Sequence, residues 1–177
     1  MARYAALLRG VNVGPNKRVP MAEWRALLEA QGCTEVQTLL NSGNAVFASR
    51  VRSRAMLAKA IRAAIVEQLN VDVPVIVKSA VEIAAVVAGN PFGAIVTNPS
   101  HLFVAVAPDA ATLAGLGPVG ELVRAPERWH LGAHAAYLWC PGAVLESAAG
   151  DALLGTLGRG ATTRNWATTV KIAALVG

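Results

Sequence analysis

The cationic residues best placed to bind an anion lie in one short loop near the start of the chain. This loop carries three cations and two glycines, namely Arg9, Lys17, Arg18, Gly10 and Gly14. It directly precedes a predicted helix, and backbone N–H groups together with the helix dipole favour an anion such as phosphate at a helix N-terminus. The glycine spacing matches neither GxxxxGK[ST] nor GxGxxG, so a plain strand-to-helix connection with exposed basic residues is the alternative interpretation.

Two further polar motifs lie at the ends of predicted elements, where rigid scaffolds commonly carry function. Residues 41–44, Asn-Ser-Gly-Asn, separate two apolar runs, and a tight hairpin turn explains them even without a ligand. Near the last helix, Asn165 can act as a cap, while Arg164 can either bind phosphate or carboxylate or hold the segment through backbone carbonyls. The predicted ligand-binding residues are Arg9, Asn12, Lys17, Asn41, Asn44, Arg164 and Asn165.

No catalytic or metal-binding pattern stands out along the chain. GxSxG, HExxH and Cys–His nucleophile patterns are absent, and the few acidic residues form no obvious pair for general acid–base catalysis. Cys33 and Cys140 are far apart without CxxC spacing, so neither a disulfide nor a zinc site is predicted. His130 and His134 lie in a predicted strand and turn, where a separation of four does not bring side chains together. We predict no metal and no cofactor, and we assign no catalytic residue.

The positive charge of the chain raises the question of a nucleic-acid partner. The formal net charge is +5. Basic residues cluster around the start of the second predicted helix, at Arg50, Arg52, Arg54, Lys59 and Arg62. A solvated helix face is the favoured interpretation of this cluster, and the predicted strands of the first half offer only Tyr4 and Phe47 for base stacking. Nucleic acid is therefore a disfavoured partner, although the charge allows it.

The first half of the chain alternates strands and helices in a recognisable order. Apolar residues at helical spacing predict one helix that begins at Pro20 and stops at Gly32, and a second that is capped by Ser53. Strands are predicted over residues 4–8, 36–40, 45–48 and 73–77, which completes a βαββαβ order. With right-handed crossovers, this order gives a four-stranded antiparallel sheet with both helices on one face, the ferredoxin-like plait.

The second half carries weaker signals. Ser79 and Glu82 form a capping box that opens a third helix, and Asn90-Pro91 ends it. Beyond it we predict strands over 101–107, around Leu122, around Trp129 and over 137–139, with helices over 109–116 and 165–176. The resulting βαββα order resembles a degenerate copy of the first half. We therefore predict an α+β protein with ferredoxin-like subdomains over residues 1–78 and 99–177, joined by a helical connector over 79–98.

Composition favours a folded, soluble protein. The chain has 177 residues, of which 54% are hydrophobic, and this is enough to bury a substantial core. The apolar residues occur in short blocks, never in the run of about 18 or more that a membrane helix needs. The N-terminal segment lacks the long apolar region of a signal peptide, so we expect a cytoplasmic protein without a membrane partner.

Long motifs near both ends of the chain carry a resemblance to a known family. These are ALLRGVNVG over residues 6–14, then Lys17 and Met21, TLLNSGNAVF over 38–47, and TTRNWAT over 162–168. They resemble the signatures of a bacterial family known only as domain of unknown function 1697. The resemblance implies two ferredoxin-like subdomains and brings no established activity. The chain departs from the family pattern at Trp24 and at Pro15, which removes one backbone N–H from the loop.

Three hypotheses for function remain open from the sequence. The leading one is a protein that binds a phosphate-bearing or other anionic small molecule near the cleft between the halves, through the residues named above. The second is an enzyme that acts without a metal on a nucleotide-like metabolite, using the same cations to stabilise developing negative charge. The third is a protein-interaction or oligomerisation module that uses an exposed sheet face or edge. The sequence predicts no oligomeric state.

Overall fold

The computed structural model describes all 177 residues, which form two compact units. The first unit comprises Met1–Ile83 together with Ile172–Gly177, and the second comprises Ala84–Lys171. Both boundaries fall inside helices, one over Ala80–Ala88 and one over Trp166–Val176. No helix combines the length and the apolar character needed to cross a membrane.

The first unit is built on a four-stranded antiparallel sheet. Its strands are β1 (Ala2–Leu8), β2 (Thr34–Leu39), β3 (Asn44–Ser49) and β4 (Val75–Ser79), and its first two helices are α1 (Met21–Ala30) and α2 (Arg54–Leu69). The strand order is β2-β3-β1-β4, and every neighbouring pair is antiparallel. This order is the one required by the predicted βαββαβ plait.

Helices α1 and α2 are anchored to this sheet by the apolar stripes expected from the sequence. One buried cluster joins side chains of both helices to the strands, and its largest members include Trp24, Leu27, Leu28, Ile61, Ile65, Leu8 and Phe47. Fully burying one such side chain contributes roughly 1.5–3 kcal/mol relative to an exposed position. The predicted cap of α2 is also present, because the Ser53 hydroxyl accepts a 3.2 Å hydrogen bond from the Met56 N–H.

Helix α3 (Ala80–Ala88) begins at the predicted capping box. The Glu82 carboxylate accepts hydrogen bonds from the N–H and the hydroxyl of Ser79, and it pairs with Arg54 and Lys78. Burial acts to raise the pKa of Glu82, but the Ser79 N–H, Lys78 and Arg54 together outweigh it and lower that pKa. The carboxylate is therefore held in its charged form at the start of α3.

The second unit contains a second four-stranded antiparallel sheet. Its strands are β5 (Leu102–Val106), β6 (Arg128–Leu131), β7 (Ala136–Trp139) and β8 (Thr162–Asn165), and the remaining helices are α4 (Ala110–Ala114), α5 (Ala148–Leu154) and α6 (Trp166–Val176). Short 3-10 helices lie over Pro99–His101, Gly117–Leu122 and Val144–Glu146. The order β6-β7-β5-β8 repeats the order of the first sheet strand for strand. The predicted α+β class with two antiparallel sheets is confirmed.

Details of the second half differ from the prediction. The segment around Leu122, predicted as a strand, is the end of a 3-10 helix over Gly117–Leu122. Helix α5 and strand β8 were not expected, and the last helix begins at Trp166 where Asn165 was predicted. Strand β8 has only four residues, and three of them are Thr or Asn, which also suit a helix N-cap. In the sequence, the end of this strand therefore resembles the start of a helix.

Candidate anion-binding site

The loop over residues 9–18, called the basic loop below, leaves β1 in a fixed conformation. Its first residue is anchored to the segment before β4, because the Arg9 N–H donates a 3.1 Å hydrogen bond to the Pro74 carbonyl. Positive φ angles between 54° and 80° occur at Gly10, Asn12, Gly14 and Lys17. The Asn12 N–H donates to the Lys17 carbonyl at 3.1 Å, so residues 12–17 form a closed lobe.

The Asn12 side chain holds the base of this lobe. Its Nδ2 donates to the carbonyls of Val19 and Asn41 at 2.9 and 2.8 Å, and its Oδ1 accepts the Val19 N–H at 2.9 Å. Val19 is completely buried, so Asn12 supplies partners to backbone groups that would otherwise be costly to bury. Both amide hydrogens of Asn12 are used inside the protein, and the residue therefore positions the loop.

The exposed part of the basic loop presents cations and unpaired backbone donors to solvent. Exposed residues whose N–H groups make no hydrogen bond with the protein are Val13, Gly14, Asn16, Lys17 and Arg18. Pro15 lies among them and has no N–H to offer. Free backbone N–H groups beside the side chains of a Lys and an Arg are suited to binding an anion.

Helix α1 begins three residues after the basic loop without a side-chain cap. Pro20 occupies the N-cap position and makes no capping hydrogen bond through its side chain. The first main-chain bond of the helix runs from the Trp24 N–H to the Pro20 carbonyl at 2.9 Å, which leaves the N–H groups of the first turn without protein partners. Glu23 is the acidic residue of that turn and offsets part of the positive helix end.

The predicted turn at residues 41–44 is present, and its residue types serve the turn itself. Gly43 has a φ of 83°, and a Cβ at this position would lie 2.7 Å from the Leu8 Cβ, so only glycine fits. Asn44 is buried, and its Nδ2 donates to the Ser42 Oγ at 2.9 Å. These contacts explain why the turn carries Ser, Gly and Asn.

An exposed ion pair in the first unit brings one more cation, Arg62, into the surroundings of the basic loop. Sequence patterns assign Arg62 to a solvated helix face. Arg62 of α2 binds Asp72 through two hydrogen bonds, Nε to Oδ1 at 2.6 Å and Nη2 to Oδ2 at 2.9 Å. These bonds lower the pKa of Asp72, and the charge of Lys17 lowers it further. Lys17, Arg62 and Asp72 therefore share one electrostatic environment. Their separation in the sequence carries no periodic signal that could have predicted it.

The remaining two candidate residues lie at the end of β8 in the second unit. The Arg164 Nη1 donates to the Thr162 Oγ1 at 2.8 Å and to the Thr163 carbonyl at 3.0 Å. Burial lowers the pKa of Arg164 to about 10. The Asn165 Oδ1 accepts the Thr168 N–H at 2.9 Å, as a cap of the helix that follows. Arg164 thus carries its charge in a half-buried position, and Asn165 performs the capping role.

The structure places the candidate residues in two groups. Five belong to the first unit, namely Arg9, Asn12, Lys17, Asn41 and Asn44, and two belong to the second, namely Arg164 and Asn165. Within the first group Asn12 contacts Asn41 directly. The side-chain amides of Asn12, Asn44 and Asn165 make hydrogen bonds within the protein, as does the Arg164 guanidinium. Arg9, Lys17 and Arg164 supply the charge that an anionic ligand requires.

The second unit also contains an open cleft of about 280 Å³, lined by residues 124–127, 140–143 and 146–147. Cys140 is buried at this cleft, with its Sγ 3.7 Å from the Glu127 Oε1. Burial raises the pKa of this thiol, and a protonated thiol is a weak nucleophile. No group of three or more His, Cys, Asp or Glu side chains is arranged to hold a metal ion.

Comparison with known proteins gives a family and a fold. The family model described as "Protein of unknown function (DUF1697)" matches residues 1–137, so the TTRNWAT motif lies beyond the matched residues. The conserved bacterial protein SP0830 from Streptococcus pneumoniae has a similar solved structure, with a TM-score of 0.81, 24% sequence identity and 99% of each chain covered. No curated protein matches the chain. At this identity the likeness to SP0830 extends to the fold alone.

Proposed function

We propose that this chain, which belongs to the DUF1697 family of proteins of unknown function, binds a phosphate-bearing or other anionic small molecule at its basic loop. The observation that supports this function is the lobe over residues 12–17, which combines unpaired N–H groups with Lys17 and precedes an uncapped helix N-terminus. Three sources of positive potential, namely side-chain charge, free amides and the helix dipole, occur within one short segment.

Preorganisation strengthens this proposal. The Asn12 side chain and the Asn12–Lys17 main-chain bond already hold the lobe in shape, so an anion would not have to order the loop on binding. Ordering a flexible loop is one of the main costs that reduce affinity. In this proposal Arg9 and Lys17 contact the anion, while Asn12, Asn41 and Asn44 maintain the backbone that presents them.

Arg164 is proposed as an anion-contacting residue of the second unit, next to Asn165. Its pKa of about 10 reflects burial, which penalises the charged guanidinium. A bound phosphate or carboxylate would favour the charged form and raise that pKa towards its ordinary value. Anion binding and retention of the Arg164 charge are therefore linked thermodynamically.

A binding experiment with matched lysine variants tests the proposal. Inorganic phosphate, AMP and ribose 5-phosphate are titrated into the protein by calorimetry, and their effect on the melting temperature is recorded in parallel, because a ligand selective for the native state raises it. Lys17→Gln removes a cation from the basic loop, and Lys59→Gln removes an exposed cation from α2 with the same change in net charge.

We expect Lys17→Gln to weaken phosphate binding by about tenfold, the loss of one charge-assisted contact worth about 1.4 kcal/mol, and Lys59→Gln to leave it within about twofold. Equal weakening in both variants would show that only the overall charge attracts the anion. Absence of binding by all three probes would refute the proposed function.

A further inference from the structure

The Arg62–Asp72 ion pair has the geometry of an occupied anion site. A guanidinium presents two parallel N–H groups that match the two oxygens of a carboxylate or of a phosphate. Asp72 uses both of its oxygens, on Nε and Nη2 of Arg62, at 2.6 and 2.9 Å. A phosphate monoester could form the same pair of hydrogen bonds in place of the carboxylate.

The segment that carries Asp72 is fixed next to the end of β1. Val73 is completely buried, and the following residue, Pro74, accepts the Arg9 N–H at 3.1 Å. β1 and β4 pair with Leu8 opposite Val75, so the residues just before β4 lie beside the first residue of the basic loop. The charge of Lys17 also acts on Asp72. Arg62 and the basic loop thus belong to one positively charged region, in which Asp72 is the carboxylate that pairs with Arg62.

The Arg62–Asp72 pair is open to displacement. The side chains of Arg62 and Asp72 are 50% and 60% exposed. Ion pairs with this exposure contribute little net stability, because water and salt compete with them. A ligand with more charge than one carboxylate therefore faces a small barrier to taking its place.

We propose that Arg62 is a further anion-binding residue of the same site, and that Asp72 is an internal competitor that occupies it until a phosphate displaces it. This inference rests on the proposed function of the basic loop. The inference also restricts the class of ligand to phosphate monoesters. A dianionic phosphate monoester binds Arg62 more strongly than the single charge of Asp72 does, and it can contact Lys17 as well. A monocarboxylate has no such advantage over Asp72.

The test compares two carboxylate-to-amide variants with equal changes in net charge. Asp72→Asn removes the competitor, and Glu29→Gln removes the partner of Arg25 in an exposed ion pair on α1. Inorganic phosphate and acetate are titrated into the wild-type protein, both variants and the double variant Asp72→Asn/Arg62→Gln. If Asp72 holds Arg62 about 90% of the time, its removal tightens phosphate binding by about tenfold.

The expected result is tighter phosphate binding in Asp72→Asn alone, loss of that gain in the double variant, and measurable acetate binding only when Asp72 is absent. If phosphate binds the wild-type protein and depends on Lys17, but Asp72→Asn behaves like Glu29→Gln, the inference is overturned and the proposed function stands. If neither the wild-type protein nor Asp72→Asn binds phosphate, the inference is overturned, and the proposed function is overturned with it when AMP and ribose 5-phosphate also fail to bind.

Discussion

Replacing Asn12 with glycine tests the claim that this side chain builds the basic loop. The substitution removes four hydrogen-bond contacts. Nδ2 donates to the Val19 carbonyl, to the Asn41 carbonyl and, at 3.3 Å, to the Asn41 Oδ1, and Oδ1 accepts the Val19 N–H. Glycine readily adopts the φ of 57° observed at this position, so backbone strain does not contribute to the measured change in stability.

The expected loss of stability follows from the same contacts. An intramolecular hydrogen bond contributes about 1 kcal/mol net, and buried groups left without a partner cost somewhat more. Since Val19 is completely buried, we expect Asn12→Gly to lower the free energy of unfolding by about 2–3 kcal/mol. Asn16→Gly is the matched control, because Asn16 is exposed in the same loop and makes no hydrogen bond; its effect should stay within about 0.5 kcal/mol.

Two measurements locate the effect. Urea unfolding followed by circular dichroism gives the change in free energy for each variant. Amide hydrogen exchange should accelerate by about 100-fold in Asn12→Gly at position 12 and at Val19, the two N–H groups hydrogen-bonded to the Lys17 carbonyl and to the Asn12 Oδ1, as expected for a local loss near 2.7 kcal/mol. If Asn12→Gly and Asn16→Gly were equal in both measurements, the role assigned to Asn12 would be wrong.

Three further predictions follow from individual contacts. Thr163→Val should stabilise the protein by about 1 kcal/mol in urea unfolding, because the buried Thr163 hydroxyl has no hydrogen-bond partner, whereas Thr162→Val should destabilise it by about 1–2 kcal/mol through loss of the bond from Arg164. Gly43→Ala should lower the melting temperature, at a cost of more than about 2 kcal/mol, since its Cβ would overlap the Leu8 side chain at a positive φ. Glu82 has a lowered pKa in the folded protein, so its contribution is present above the unfolded pKa and is lost as pH falls through the folded pKa. Glu82→Gln should therefore cost about 1 kcal/mol at pH 7, and the difference from wild type should disappear once the pH is below the folded pKa of Glu82.

The first half of the fold could be predicted because its elements are long enough to show periodicity. Helix α2 spans 16 residues, and its apolar stripe identifies both its type and its buried face. The turn at residues 41–44 carries the Asn and Gly expected for a tight hairpin, and the capping box at Ser79 marks the start of α3 within one residue. Local chemistry and the final topology agree in the order of the elements of this half, although Leu40, predicted at the end of a strand, has a positive φ in the turn.

The second half resisted prediction because its elements are short. Strands β6, β7 and β8 have four residues each, α4 has five and α5 has seven, so neither strand nor helix periodicity completes more than about two repeats. Strand β8 forms because it pairs with β5, where Arg164 lies opposite Val104, 60 residues away in the sequence. A sequence window cannot contain such a partner.

The candidate site, too, could be predicted from the sequence only in part. Residue types alone identify the basic loop and the polar turn, but the role of each residue depends on distant partners. Asn12 has a structural role because it hydrogen-bonds to Asn41, 29 positions away. Arg62 is a candidate anion-binding residue because it pairs with Asp72, which lies 10 positions away, beyond the end of the helix. Neither separation matches a helical or strand repeat that brings the side chains together.

We assign Asn12 a role in holding the loop and Lys17 a role in supplying charge. These two roles can be tested separately. If Asn12 acts only by positioning the loop, Asn12→Gly should lower stability and phosphate affinity together, because the lobe must then be ordered on binding. If Lys17 acts only through its charge, Lys17→Gln should lower affinity at unchanged stability, and the loss should shrink as ionic strength rises. A fall in affinity for Asn12→Gly without a fall in stability would instead mean that the Asn12 amide contacts the anion itself. That outcome would return Asn12 to the ligand-binding role predicted from the sequence.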